Sequence, residues 1–430
     1  MTTTFFRNRL LQIGAAAVIA GLSPALLAQD RPLTNPDDTL KDRWLQICMN
    51  ARPGSELQSV CTDIIGSEGG EQSEARRLAA ARGNHLGIFA AQVKLARSWL
   101  GRQQGARTGE ERRRKPGMHG ERSLGLSGDD DAMLWESERW GVFGNVLVTD
   151  VQRDQSRWES AFKSKVLGAS LGVDYRINAD VVALFSLGVR DNDTDFDGGT
   201  GRMKQDSRGV LFGLYGNRGD HFGWQVMLGR ESLDLTTSRL IRFDLRLHAG
   251  TPQEQLLRFD RTAVSDLDGH NTHGSISADW SWWRGAWTFR SELGGDFSRV
   301  ELGSGVERNG GGFELRFDRR SNSSRRAHVA FEVSRTNSAN WGVWSPSLRL
   351  DWFHEFADDG SLYPASFAAD SSSALIGFAS EDPDRSFGNL SLGISAVRPN
   401  GWQWFIGLDR SIANSTLTET RLNAGFRKAL

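Results

Sequence analysis

The stretch DTDFDGG, Asp193 to Gly199, sets Asp193, Asp195, Asp197 and Gly198 at the first, third, fifth and sixth places of a calcium loop. The twelfth place, where such a loop needs a bidentate acid, holds Lys204. The expectation is therefore an acidic outer loop and no metal site. Arg218-Gly219-Asp220 has the letters of an adhesion tripeptide, yet Gly-Asp is also ordinary turn chemistry. His354 stands beside Glu355. On a strand such neighbours leave on opposite faces, so the two cannot act as a dyad. The other histidines, His248, His270 and His273 among them, are scattered. No catalytic residue and no cofactor is assigned, and a hydrolase is the least favoured class of function.

The chemistry of Cys48 and Cys61 depends on the compartment. The N-terminus has Arg7 and Arg9, an apolar run from Leu10 to Leu22 and the small residue Ala28. That is the layout of a signal peptide over 1–28, and the run falls short of the roughly 20 residues a spanning helix needs. In an exported, oxidising setting the expectation is a Cys48–Cys61 disulfide, and neither cysteine has a nearby Cys or His to share a metal. Leu40 to Asn50 and Ser55 to Ile65 read as short helices about the turn Arg52-Pro53-Gly54, and 72–100 is helical in pattern. This gives a helical segment over 29–100. Residues 101–133, with GEERRRKPG and SGDDD, are too charged to bury a core and read as a flexible linker.

Overall, 52 Lys+Arg face 53 Asp+Glu, so no global field draws in nucleic acid. From Trp135 onward a period of two takes over. Leu167, Ala169, Leu171 and Val173 oppose Ser164, Gly168, Gly172 and Asp174, and Ile276, Ala278, Trp280 and Trp282 oppose Ser275, Ser277, Asp279 and Ser281. Tight turns fall near 178–180, 217–221, 283–285, 338–341 and 399–401. Longer polar connections are expected over 191–205, 235–266, 302–324 and 357–385. Short turns on one side and long loops on the other are the plan of a membrane barrel. The predicted fold is all-β, an antiparallel transmembrane β-barrel of about twelve strands over 134–430, as such barrels carry even counts. Trp224, Trp282, Trp287, Trp344 and Trp402 sit beside tight turns, where interface aromatics belong; a soluble β-sandwich would put Trp mid-strand. The opposite faces carry Asp174, Asp279, Arg290, Glu292, Arg349, Asp351, Asp409, Arg421 and Arg427, expected to face the lumen because Arg in lipid costs about 2–4 kcal/mol.

Residues 135–430 resemble the β-domain of bacterial autotransporters, the type V secretion translocators. The likeness is carried by LGVDYRINADVVALFSLGVRDNDTDFDGG, by SPSLRLDWFHEF with FGNLSLGISAVRPNGW, and by the strand spacing. The resemblance implies a monomeric twelve-stranded barrel in outer-membrane lipid whose lumen holds the protein's own N-terminal segment. It also implies a closing strand read by the barrel-assembly machinery through a terminal aromatic. This chain ends FRKAL, with Phe426 four residues from the end, and only about 105 residues lie between signal and barrel. The expected function is an outer-membrane translocator that anchors, and exports or displays, this short segment. The runner-up is a passive channel with periplasmic helices.

Overall fold

The computed structural model describes Ala51, Pro53, Gly54, Gln58 and Cys61, and then residues 139–430 apart from gaps at 156–159, 220, 248–251, 253–254, 358–361, 371–375, 380–383 and 416. The expected signal peptide, the helix over 72–100, the linker and Cys48 lie outside the described residues.

Period-two patterning becomes twelve barrel strands. They are β1 (Trp140–Arg153), β2 (Phe162–Arg176), β3 (Val181–Phe196), β4 (Gly201–Arg218), β5 (Phe222–Leu247), β6 (Gln255–Arg284), β7 (Trp287–Leu302), β8 (Arg320–Arg335), β9 (Gly342–Glu355), β10 (Ser386–Val397), β11 (Trp402–Ile412) and β12 (Leu417–Ala429). Each pairs antiparallel with the next, and β12 returns to β1 from Gly141↔Ala429 to Arg153↔Leu417. Closure leaves no free edge, so every ladder N–H and C=O can be satisfied inside a membrane.

The sign of burial is inverted relative to a soluble protein. Leu171, Ile276 and Leu293 on the outward face are 59%, 61% and 61% exposed, while Asp174 and Glu292 on the inward face are 2% and 5% exposed. An apolar outer belt with charges inside is stable only if the outer face meets lipid.

The turns linking β2–β3, β4–β5, β6–β7, β8–β9 and β10–β11 lie at one end together with the start of β1 and the end of β12. In the β6–β7 turn Gly285 takes φ 57°, a left-handed conformation that a side chain disfavours.

At the other end the structure corrects two expected connections. Residues 191–205 are mostly strand, with only Asp197–Gly199 forming a 3-10 turn, and 235–266 is mostly the extension of β5 and β6. The polar outward residues there do not signal loops. They belong to strands that rise beyond the apolar belt, where both water and a neighbouring strand are available. The expected acidic loop is likewise mostly strand: Asp193 and Asp195 lie on β3 and face Arg202 of β4 at 3.4 and 3.5 Å.

The connections β7–β8 and β9–β10 together form a small antiparallel sheet ordered Ile376–Ala379, Leu362–Phe367, Leu315–Phe317, Gly305–Val306. Its buried Leu315, Phe317 and Ala365 pack with Phe313, Phe259, Ala263 and Leu267, making an apolar cap at the loop end. Ala51 and Cys61 belong to the same buried cluster, and Ala51 pairs through its backbone with Asp370.

Candidate functional site

Alternation turns every second residue of each strand inward, and pairing then stacks these residues into bands around the interior. Nearest the turn end, Asp174 on β2 takes two bonds, 2.7 and 2.8 Å, from the guanidinium of Arg427 on β12. The strand between them, β1, contributes Gly141, where an added Cβ would lie 2.6 Å from Arg427 and 2.8 Å from Asp174. Glycine is what lets this bidentate pair cross the closing strand.

On β6 to β9 the inward charges form one network. Arg290 donates to Asp279 at 3.1 Å and lies 3.5 Å from Glu292. Glu292 accepts from Arg349 at 3.1 Å and contacts the His328 ring at 3.2 Å. His328 also approaches Asp296 at 3.3 Å, and Arg349 is held by Asp351 at 2.7 Å. On the far wall Arg421 meets Glu419 at 2.5 Å and Asp409 at 3.7 Å. All nine residues singled out from the sequence as charged and inward thus sit in ion pairs on the buried face.

The sequence reading passed over part of this interior. His328 and Glu332 join the β6–β9 network through Glu292, Asp296 and Arg349, and Arg190 on β3 pairs with Glu231 at 3.1 Å, with Asn271 donating to the same carboxylate. The signal was available in RAHVAFEVS, where His328, Ala330, Glu332 and Ser334 alternate with Val329, Phe331 and Val333. Glu355 turns inward and accepts from Ser324, whereas His354 turns outward to Ser386. Among the described residues no cluster of His, Cys, Asp and Glu is arranged to hold a metal.

Above this band the chemistry changes. Arg239 on β5 grips Glu307 of the cap at 2.6 and 3.2 Å and donates to the Phe313 carbonyl at 2.8 Å. Burial pushes the Glu307 carboxyl up from its usual range, against the pull of the Arg239 guanidinium. On the exposed hairpin, the hydrogen bond from Arg308 holds the Asp266 carboxyl below its usual range.

Most of the outward tryptophans gather at the turn end, whereas exposed Trp352, Phe297 and Phe356 stand toward the loop end. Trp282 stacks on Phe289 at 5.7 Å, Trp402 on Trp404 at 5.4 Å with Phe426 beside them, and Trp287 lies under the Arg335 guanidinium. Trp224 rests against Gly216, and Trp344 is half-buried opposite Ala396. Arg218 ends β4 and Gly219 begins the turn at this same end, and Asp220 is outside the described residues.

Among solved structures, the translocator domain of autotransporter NalP from Neisseria meningitidis is 11% identical and superposes with a TM-score of 0.52, over 70% of this chain and 92% of that one. The β-domain of the Bordetella autotransporter Brka is 14% identical at a TM-score of 0.48, over 68% of this chain and 100% of that one. No curated protein sequence matches the chain. A model of the autotransporter β-domain family matches residues 142–409. With the closed twelve-stranded barrel and its charged interior, that match makes this chain a member of the autotransporter β-domain family, an outer-membrane translocator barrel.

Proposed function

We propose that the barrel carries its own N-terminal segment, 29–100, to the loop end and keeps it there, so that the segment is displayed at the cell exterior. The observation that supports this reading is the meeting of Ala51 with Asp370, and of Cys61 with the cap cluster, at the end opposite the tight turns. A periplasmic segment would have to reach past the whole barrel to make those contacts.

In this reading residues 1–28 are removed as a signal peptide, and Cys48 closes a disulfide with Cys61, whose side chain is buried. The inward charges of the β6–β9 network, Arg290, Glu292, Arg349 and Asp351, line the route and are satisfied by one another once the segment has passed. Outside, Trp224, Trp282, Trp287, Trp344 and Trp402 seat the turn end in the headgroups. Phe426, on the Trp402 and Trp404 stack, is the aromatic offered to the assembly machinery. No energy source beyond folding is required, as capping at the exterior makes the passage one-way.

An epitope tag placed near Asp38 tests the reading. Protease added to intact cells should remove the tag while the heat-modifiable barrel band stays. A tag protected in intact cells and cut only after outer-membrane permeabilisation would overturn it in favour of a channel with periplasmic helices.

A further inference from the structure

The two rims of the apolar belt differ in chemistry. The turn-side rim is aromatic. On the loop side the last apolar residues of β4, β5, β7 and β8 are followed on the same outward face by arginine: Val210 by Arg208, Leu228 by Arg230, Phe297 by Arg299 and Val329, after Ala327, by Arg325. Register puts them side by side. Arg230 pairs with Thr272 of β6, which pairs with Arg299; Arg208 is the diagonal neighbour of Arg230, and Arg325 that of Arg299. Such diagonal positions stand about 7–8 Å apart, within reach of one long-armed ligand group.

Higher on the outward face the cations have acidic partners. Arg202 meets Asp193, Lys204 meets Asp191, Arg242 meets Asp260 and Arg308 meets Asp266. In the arc itself only Arg299 does, at 2.8 Å from Glu301. The exposed guanidinium groups of Arg208, Arg230 and Arg325 have no acidic partner among the described residues. A planar guanidinium at the boundary between lipid and water offers paired donors to a tetrahedral oxyanion, which a lysine ammonium matches less well.

We propose that this arc is a docking surface for phosphorylated lipid headgroups of the loop-side leaflet. Charge complementarity and position favour a lipid over a soluble anion. The acyl chains of such a lipid lie along Val210, Leu228 and Phe297 while its phosphates meet Arg208, Arg230 and Arg325. The aromatic rim then serves the opposite leaflet, and the barrel is built for a bilayer whose two faces carry different charge.

The test measures the temperature at which the folded barrel band converts to the unfolded one in zwitterionic detergent. Bis-phosphorylated lipid A should raise that temperature for the full-length wild-type protein; fully dephosphorylated lipid A and inorganic phosphate should not. R208Q/R230Q/R325Q should lose most of the rise while keeping its folded band without lipid. An equal rise with the dephosphorylated lipid or with inorganic phosphate overturns the proposal, as does an unchanged rise in the variant. If the triple variant does not fold, the single R208Q, R230Q and R325Q variants are read in its place, and the wild-type lipid series remains decisive.

Discussion

Asp174 and Arg427 are 253 positions apart in sequence and one strand removed in space. Their bidentate contact sits where the barrel closes, over a glycine with no room for a methyl group. Breaking one partner of a buried pair leaves a charge without its counter-ion, at a cost of about 3 kcal/mol. D174N should therefore lower the urea midpoint of the refolded barrel, and G141A should do so without touching either charge, because its Cβ displaces both. Equal midpoints for G141A and wild type would remove the steric argument. Arg290 and Glu292 belong to a different kind of pair, within a network of alternative partners. R290A/E292A should open the interior without unfolding the barrel, raising single-channel conductance in planar bilayers. An unchanged current trace would mean that these side chains do not bound the passage.

At the scale of elements, the cap is the feature that composition disguised. The connections β7–β8 and β9–β10 look polar, yet Phe313, Leu315, Phe317 and Ala365 within them are buried against strands that overshoot the belt. The Arg239–Glu307 pair is the pin between strand and cap. R239A would leave Glu307 buried without a counter-charge, again about 3 kcal/mol of local destabilisation. Limited proteolysis should then cut within 303–319 in R239A and spare the wild type, with the barrel core resistant in both. Cleavage patterns that match would show that apolar packing alone holds the cap.

For the molecule as a whole, one physical asymmetry organises the rest. Short aromatic-rimmed turns stand at one end; at the other, long strands, an arginine rim and a lid of loop residues that takes in Ala51 and Cys61. The display reading and the lipid-docking inference draw on different parts of that asymmetry and fail separately. A protected tag near Asp38 would move the N-terminal segment without altering the arginine arc, and an indifferent response to lipid phosphate would leave the cap contacts as they are.

Much of this was legible in sequence because a strand writes its two faces locally. The alternation of Leu348, Leu350 and Trp352 with Arg349 and Asp351 needs no distant residue to be read, and the tight turns at 178–180 and 399–401 follow from their own Asn, Asp, Pro and Gly. Twelve strands, an apolar outward face and aromatic turn rims all came from such local rules. Where polar residues interrupt both faces, as with Asn192 and Thr194 in 191–205 and Thr237 and Arg239 in 235–266, the alternation is too broken for the local rule to tell. There only pairing with a neighbour distinguishes strand from loop. Partner choice inside the barrel, such as His328 between Glu292 and Asp296 or Arg427 on Asp174, depends on which strands become neighbours and in what register, quantities fixed by closure of the whole sheet. The sequence by itself determined a barrel with a charged interior. Tertiary structure decided which charges meet, and that the loop end closes over itself.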